Sequence, residues 1–264
     1  MKTVAFLSDF GLEDPYVGVV KGVILRECPH ANIIDISHGI RKFDIVHGAL
    51  VLESSFRYFP QNTVFLVVVD PGVGPKRRAI VIKTENYWFI GPDNGILYPS
   101  ASKDSIVRAF EIPIPRLETH TFHARDVFAP LVGKILKSER LDLKEISPES
   151  IEKLNLGKAI IYKKKIFGEI LTIDHFGNLI TNIRYEDLKK ISEPEKDKYV
   201  VKIKESEIVC EYHLSYSEVK EGEYLLTTGS AGRIELAKNK GNASLEIGND
   251  ISKLYGSKIE IRRK

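Results

Sequence analysis

The sequence is poor in cysteine and has no long apolar run. Its two cysteines, Cys28 and Cys210, are isolated and too few for a disulfide framework or a zinc site, which favours a reducing compartment. No stretch approaches the ~20 apolar residues that span a bilayer. The apolar run in the opening MKTVAFLSDFG is too short for a signal peptide. We therefore expect a soluble, cytoplasmic protein without a membrane partner.

Charges are numerous but nearly balanced. The 264 residues include 39 Lys and Arg against 36 Asp and Glu, which gives a formal net charge of +3. The one dense basic run, at residues 163–165, is more typical of a solvated turn than of a binding patch. A hydrophobic content of 43% is that of a globular protein. We expect no nucleic-acid partner, because no basic stripe stands out.

The first half alternates short apolar runs with amphipathic segments. TVAFL, ANIIDIS and NTVFLVVVD predict strands, and the segments that begin at Asp14, Asp44 and Asp126 predict helices. The unbroken apolar run of NTVFLVVVD indicates a strand that is buried on both faces. Such alternation is typical of an α/β fold with a largely parallel sheet.

The pattern changes near Ile160. Short strand patterns such as GEILTID, YVVKIK and EYLLTT then alternate with charged turns, which indicates a small β-barrel or sandwich. Helical periods are sparse in this part, and we predict them only at residues 185–191 and 233–238. The sequence thus predicts an α/β domain over residues 1–160 and a smaller β domain over residues 161–264.

Three strands of the first half end at an acidic corner, SDFG at Asp9, VVVDPG at Asp70 and IGPDNG at Asp93. In open parallel sheets, ligands bind outside the carboxyl ends of the strands. Asp-Gly and Asp-Pro pairs are also ordinary turn formers, so a single corner has a structural explanation. Three carboxylates on one rim repel each other unless something binds them, which favours a ligand site.

The stretch VVVDPGVGPKRR connects Asp70 to two arginines. It lacks the GK[ST] ending of a phosphate-binding loop, and its carboxylate would repel a phosphate. A plain strand exit does not explain why two arginines follow so closely. We predict that Arg77 acts with Asp70, and that Arg78 forms a structural ion pair because strand alternation points it the other way.

Polar clusters occur at two further places. TFHARDVFAP contains His123 and Asp126, of which Asp126 is also explained as a helix N-cap. No HExxH motif is present, so we expect no catalytic metal. In the second half, IDHFGNLITNI places Asp174 and Asn178 around a Phe-Gly corner, where a plain hairpin is the alternative.

Taken in order, SDFG, VDPGVGPKRR, GPDNG, TFHARDVFAP, DHFGN and GSAG…GNAS resemble the S-adenosyl-L-methionine (SAM) hydroxide adenosyltransferases, or SAM hydrolases. These enzymes are relatives of the fluorinases and chlorinases. The resemblance runs from about Ser8 to about Ser244, and VDPGVG with RR and TFH-x-RD is its most specific part. It implies an α/β amino-terminal domain, a carboxy-terminal β-barrel, and a homotrimer with active sites between the first domain of one subunit and the second domain of a neighbour.

The resemblance also implies two groups of site residues and no cofactor or metal. The set that binds and activates water matches Asp70, Arg77 and His123. The substrate-binding positions match Asp9 at the ribose diol, Phe43 as an aromatic wall, Asp14 and Asp174 at the methionine ammonium, Asn178 at the adenine edge, and Ser230 at the methionine carboxylate. Where the halogenases have an arginine after this serine, the chain has Ala231, and Arg233 is a candidate replacement.

This residue set favours water as the nucleophile. The leaving group is a neutral thioether that needs no acid, so the catalytic work lies with the nucleophile. Asp70 can take a proton from water while Arg77 and His123 stabilise the charge that develops on oxygen. A halide ~4 Å from a carboxylate would be repelled by about 4 kcal/mol at an effective dielectric of ~20.

Three other functions compete with SAM hydrolysis. A related adenosyl halogenase would use the same substrate with a halide. A non-catalytic SAM or adenosine sensor would need Asp9, Asp14 and Asn178 without the water-activating set. A metal-dependent hydrolase built on the acidic corners would lose its activity with a chelator.

Overall fold

The computed structural model describes residues 2–74, 76–114, 121–248 and 250–264. The chain divides into two compact units, residues 1–154 (unit 1) and residues 155–264 (unit 2). Unit 1 is built on a mixed sheet covered by helices, and unit 2 is a closed β-barrel. The predicted fold class is therefore confirmed. No helix in the described ranges combines the length and apolar character needed to cross a membrane.

Unit 1 contains seven strands and four α-helices within its described residues. The strands are β1 (Thr3–Ser8), β2 (Asn32–Ser37), β3 (Val64–Val68), β4 (Ala79–Thr84), β5 (Trp88–Pro92), β6 (Ile106–Ile112) and β7 (Lys144–Ile146). The helices are α1 (Tyr16–Glu27), α2 (Ile45–Ser55), α3 (Tyr98–Ala101) and α4 (Ala129–Leu136). A π-helical turn, Ala124–Phe128, leads into α4.

The sheet of unit 1 has the order β2-β1-β3-β5-β4-β6-β7. The first four strands are parallel, whereas β4, β6 and β7 each pair antiparallel with their neighbours. The parallel part brings the carboxyl ends of β1, β2 and β3 to one edge. The loops that carry Asp9 and Asp70 therefore leave the sheet side by side.

Strand β3 is buried on both faces, as its apolar run predicts. Val64, Leu66 and Val68 belong to the core that packs against α1 and α4. Phe65 and Val67 belong to the core on the other face, which packs against α2. This alternation follows from the two-residue period of a strand. Covering both faces fixes the position of β3 and of the loop after it.

Unit 2 contains eight strands and two short α-helices within its described residues. The strands are β8 (Ile160–Tyr162), β9 (Lys165–Ile173), β10 (Leu179–Arg184), β11 (Lys198–Ile203), β12 (Ser206–Tyr212), β13 (Tyr224–Thr228), β14 (Arg233–Lys238) and β15 (Lys258–Arg263). The helices are α5 (Tyr185–Lys189) and α6 (Ala243–Ile247). Pairing of β9 with β10 closes seven strands into a barrel, and β8 extends it beside β9.

The helix predicted at residues 233–238 is wrong. This segment is strand β14, which pairs with β10 on one side and β13 on the other. Ile234 and Leu236 face the barrel core, and the segment is too short for its apolar period to separate helix from strand. The segment becomes a strand because its backbone hydrogen bonds complete the sheet between β10 and β13.

We predict that Gly91→Ala destabilises the fold. A Cβ at position 91 would lie 2.3 Å from the carbonyl oxygen of Val67 in the neighbouring backbone. Because two paired strands cannot easily separate, we expect a loss of ~2 kcal/mol or more in the free energy of unfolding, measured by urea denaturation. Gly18→Ala in α1 is the control, since a Cβ there meets nothing within 4 Å. Equal stability of the two variants would contradict this close approach.

Candidate active site

A cavity of about 360 Å³ opens in unit 1 at the carboxyl ends of β1 and β3. This size falls within the usual range for small-molecule sites. The predicted site residues that line it are Asp9, Asp14, Phe43, Asp70 and His123. Its other lining residues include aromatic side chains and Lys42. Even when the cation that pairs with Asp70 is counted with Lys42, the three carboxylates remain in excess by one, which favours a ligand with positive charge.

Asp70, Arg77 and His123 lie in contact. Arg77 Nε donates to Asp70 Oδ1 at 3.0 Å, and Arg77 Nη2 pairs with Asp70 Oδ2. Arg77 Nη2 also lies 3.0 Å from His123 Nδ1. The Asp70 and Arg77 side chains are 6% and 9% exposed, and His123 is 1% exposed. A two-point ion pair of this kind compensates for removing both charges from water.

The hydrogen bonds of Arg77 fix the protonation of His123. A guanidinium only donates, so His123 Nδ1 must accept, and a neutral imidazole then carries its proton on Nε2. Arg77 also donates from Nη1 to the Arg78 carbonyl oxygen at 3.2 Å. Four of its five N–H groups thus serve Asp70, His123 and the backbone. Arg77 therefore holds the other two groups in place and has little capacity left for a ligand.

Asp9 and Phe43 are joined at the rim of the cavity. Asp9 Oδ2 accepts from the Phe43 backbone N–H at 2.8 Å. Phe43 has φ of 66°, a left-handed conformation that costs energy for a residue with a side chain, and its ring is 68% exposed. Burial raises the pKa of Asp9, with a contribution from the Asp70 charge, while the Phe43 N–H opposes the rise. A ligand that donates hydrogen bonds to Asp9 would replace water at this carboxylate.

Asp93 does not belong to this cavity. Arg78 Nε donates to Asp93 Oδ2 at 2.6 Å, and Glu152 N donates to Asp93 Oδ1 at 2.9 Å. The third acidic corner is therefore neutralised inside the protein, and although β5 runs parallel to β3, Asp93 does not line the cavity. The reason is that antiparallel β4 brings Arg78 beside the end of β5. The structural ion pair predicted for Arg78 is confirmed.

In unit 2, Asp174 and Asn178 form the turn between β9 and β10. Asp174 Oδ1 accepts from the backbone N–H groups of Phe176 and Asn178, each at 2.9 Å. Asp174 Oδ2 accepts from Asn178 Nδ2 at 2.8 Å. The turn is thus a hairpin whose two polar side chains bind each other. Because the amide nitrogen of Asn178 is taken, its carbonyl oxygen is the atom suited to accept from a ligand.

Two residues beside this turn, Tyr216 and Glu235, were not predicted as site residues from the sequence. Tyr216 O–H lies 3.5 Å from both Asn178 Nδ2 and Glu235 Oε2. Glu235 is 8% exposed and lies against Gly229, where a Cβ would come 1.7 Å from Oε1. Burial raises the pKa of Glu235 to about 7, and the Asp174 charge adds to this rise. Burial also raises the pKa of Tyr216 to about 12.

Ser230 is exposed in the turn between β13 and β14. Arg233, the candidate partner for a carboxylate, is 4% exposed on β14. A different arginine reaches the turn, since Arg184 Nη1 donates to the Ala231 carbonyl oxygen at 2.6 Å. Arg184 ends β10, which pairs with β14, and only this pairing reveals its proximity to residue 231.

The chain combines an α/β unit that has a cavity at its strand ends with a β-barrel unit, and comparison with known proteins defines the family. The SAM hydroxide adenosyltransferase N-terminal domain matches residues 4–146, and the C-terminal domain of the same family matches residues 168–253. The two matches cover most of the 264 residues. The chain belongs to the SAM hydroxide adenosyltransferase family.

Two curated relatives are similar over nearly the whole chain. An (R)-S-adenosyl-L-methionine hydrolase of Thermus thermophilus is 36% identical, over 94% of this chain and 96% of the relative. The Methanocaldococcus jannaschii protein of that name is also 36% identical, over 98% and 95%. The crystal structure of a conserved protein from Thermotoga maritima superposes with a TM-score of 0.89 at 36% identity, covering 98% of this chain and 100% of that one. Fluorinases match at lower identity, about 26% for that of Nocardia brasiliensis.

We predict that Glu235→Gln stabilises the protein at pH 8 but not at pH 4.5. Because the pKa of Glu235 rises from 4.5 to about 7, the folded state binds more protons than the unfolded state between these values. The stability that this carboxyl contributes is complete below pH 4.5 and is lost as the pH rises through 7. Glutamine cannot ionise and escapes this loss, so calorimetry should show a higher Tm for the variant at pH 8.

Glu246→Gln is the control for this effect. Glu246 is exposed, and its hydrogen bond with Lys238 lowers its pKa, so the linkage has the opposite sign. This substitution should not raise the Tm at pH 8. A Tm difference for Glu235→Gln that did not change with pH would disprove the buried, protonated state of Glu235.

Proposed function

We propose that this chain hydrolyses SAM to adenosine and L-methionine by in-line attack of water at the ribose 5′ carbon. The observation that carries the proposal is the contact of Asp70, Arg77 and His123 beside a cavity that Asp9 also lines. The names of the relatives with 36% identity support the same substrate. In the reaction, oxygen bonds to C5′ as the carbon–sulfur bond breaks and methionine leaves as a neutral thioether.

Asp70 takes the proton from the attacking water. Both of its oxygens already accept from Arg77, and each has a second lone pair for a water O–H. The ion pair orients the carboxylate, so water is held in one place before reaction. As hydroxide character develops, the opposite charge of the sulfonium is cancelled in a cavity with partly apolar walls.

Arg77 and His123 contribute in different ways. Most N–H groups of Arg77 donate to Asp70, His123 and the backbone. Arg77 therefore orients the Asp70 carboxylate, which acts as the base, and supplies positive charge. His123, with its proton on Nε2, serves as a hydrogen-bond donor rather than as a base. In this division all three residues contribute to the reaction, although only Asp70 carries the proton away.

Substrate binding uses groups from both units. Asp9 accepts from the ribose diol, Phe43 forms an aromatic wall, and Asp14 binds the ammonium at the same cavity. In unit 2, Asp174 is a second partner for the ammonium. Asn178 accepts from the adenine amino group through its carbonyl oxygen, and Ser230 binds the methionine carboxylate, with Arg184 as the cation of that turn.

The acceptor character of the site favours water over a halide. Water donates hydrogen bonds to the free lone pairs of Asp70, whereas a halide has no proton to donate. Arg77 offsets much of the charge of Asp70, so hydrogen bonding adds to charge repulsion as the basis of the choice. We propose that the reaction needs no added metal. We also propose that the chain works in the cytoplasm, in keeping with its two buried free thiols.

We predict that Asp70→Ala loses turnover while it retains adenosine binding. Loss of the base should lower kcat by about 10³-fold, because proton transfer and orientation are both removed. Chromatography of products from SAM measures turnover, and calorimetry measures adenosine binding. Asp93→Ala is the matched control, since it also breaks a carboxylate–arginine pair at a strand end but lies outside the cavity. Turnover by Asp70→Ala near the wild-type rate would remove Asp70 from the mechanism.

The same incubation separates the competing functions. Wild-type protein treated with chelator should give adenosine and methionine from SAM, and added chloride or fluoride should give no 5′-halo-adenosine. A halogenated nucleoside would establish a halogenase instead. Loss of product with chelator would establish a metal-dependent hydrolase, and SAM binding without product would establish a sensor.

We further propose a homotrimer in which unit 1 of one subunit and unit 2 of the next form each active site. Two inactive variants, Asp70→Ala and Asn178→Ala, should then complement each other. Random mixed trimers would restore about one quarter of wild-type activity, because each site needs an intact contribution from two different subunits. Co-expression with two affinity tags provides the mixed trimers. If purified mixed trimers showed no SAM turnover, each subunit would act alone.

A further inference from the structure

Three residues of unit 1 form a Ser–His–Asp arrangement that the proposed reaction does not use. Ser8 Oγ lies 2.7 Å from His38 Nδ1, and His38 Nε2 lies 3.1 Å from Asp35 Oδ1. Ser8 ends β1, Asp35 lies in β2, and His38 follows β2. The parallel pairing of these two strands brings the three side chains together. The same residue types form the triad of serine hydrolases.

Burial excludes a nucleophilic role for this serine. Ser8 is 0% exposed and His38 is 5% exposed, so no substrate carbonyl can reach Ser8 Oγ. The polar contacts lead instead from the surface toward the cavity. Lys21 of α1 binds Asp35 Oδ2 at 2.6 Å, and this pair is partly exposed. At the other end, Ser8 is the direct neighbour of Asp9 in the chain.

The hydrogen bonds along this path have one consistent direction. Asp35 Oδ1 lies 3.1 Å from His38 Nε2, and the carboxylate favours a proton on that nitrogen, which leaves Nδ1 to accept from the Ser8 hydroxyl. Ser8 Oγ in turn faces the backbone N–H of Phe10 at 3.4 Å. The carbonyl oxygen of His38 also accepts from Gly11 N–H at 2.9 Å. The backbone is therefore tied immediately after Asp9 at two successive residues.

We propose that Ser8, His38 and Asp35 form a positioning relay that holds the Asp9 carboxylate in place for the ribose diol. The relay acts through Asp9 and touches no substrate, and its kinetic consequence rests on the proposed function. Asp9 is then oriented from two sides, by the relay behind it and by Phe43 N–H in front. A fixed carboxylate loses less conformational entropy when ribose binds.

The relay works only while His38 is neutral. The charged groups that face its ring are Asp35 and Lys21, and the ring of Phe6 packs edge-on at a centroid distance of 4.6 Å. Burial lowers the pKa of His38, Lys21 adds to this, and Asp35 opposes it. Acid below this lowered pKa would put a proton on Nδ1 and remove the acceptor for Ser8. Binding of ribose should weaken over that pH range.

The kinetic test compares variants that remove or retain the relay. We expect Ser8→Ala and His38→Leu to raise KM for SAM about tenfold and to change kcat by less than about threefold, because positioning for binding is lost. His38→Asn should recover most of the loss, since its side-chain oxygen can accept from Ser8 at the place of Nδ1. Ser37→Ala is the control, because Ser37 Oγ caps Gly39 N–H at the same strand end outside the relay.

A second readout needs no substrate and separates the relay from the proposed function. Amide hydrogen exchange at Phe10, Gly11 and Phe43 should be about tenfold faster in Ser8→Ala than in wild type, and unchanged in Ser37→Ala. Unchanged exchange at these amides would overturn the relay whatever the substrate is. Wild-type protein that leaves SAM intact would instead refute the proposed function, while the exchange rates still decide on the relay.

The wild-type protein alone provides a final check if a variant does not fold. Nitrogen-15 NMR of the histidine ring should show the proton of His38 on Nε2 and a hydrogen-bonded, unprotonated Nδ1 at neutral pH. A proton on Nδ1 would reverse the direction of the Ser8 contact and overturn the proposal.

Discussion

The ion pair between Asp70 and Arg77 is the contact on which the candidate site depends. Both charges are almost fully removed from water, so each needs the other, and the two-point geometry leaves neither side chain free to rotate. The same guanidinium fixes which nitrogen of His123 carries a proton. One arginine thus sets the orientation of the base and the hydrogen-bonding role of the histidine. This pair is stable because β3 is anchored on both faces just before Asp70.

Sequence patterns predict the secondary-structure elements that carry this site, but they predict the side-chain contacts within the site less well. The apolar run before Asp70 predicts a doubly buried strand because each face has its own core. Nothing in the spacing brings His123 to Arg77, 46 residues earlier, and only the family resemblance suggested that these residues act together. Asp93 illustrates the limit, since its corner looks like that of Asp70 until antiparallel pairing places Arg78 beside it.

The barrel residues were harder to predict because their roles depend on closure. Glu235 reads as part of a short helix in the sequence, and its strand conformation follows from pairing with β10 and β13. Its carboxyl becomes unusual only when it is buried beside Gly229 and Asp174. Arg184 likewise reaches Ala231 through a neighbouring strand. Tertiary pairing overrides local propensity at such positions.

The distribution of donors on Arg77 has a consequence for protein engineering. Four N–H groups of this residue already donate to fixed acceptors. Replacing the carboxylate at position 70 by a neutral group would therefore leave the buried Arg77 guanidinium without its counter-charge. Redesign toward a different nucleophile must therefore replace acid, guanidinium and imidazole as one unit. Directed evolution by single substitutions would pass through intermediates that still fold but are less stable than the wild type.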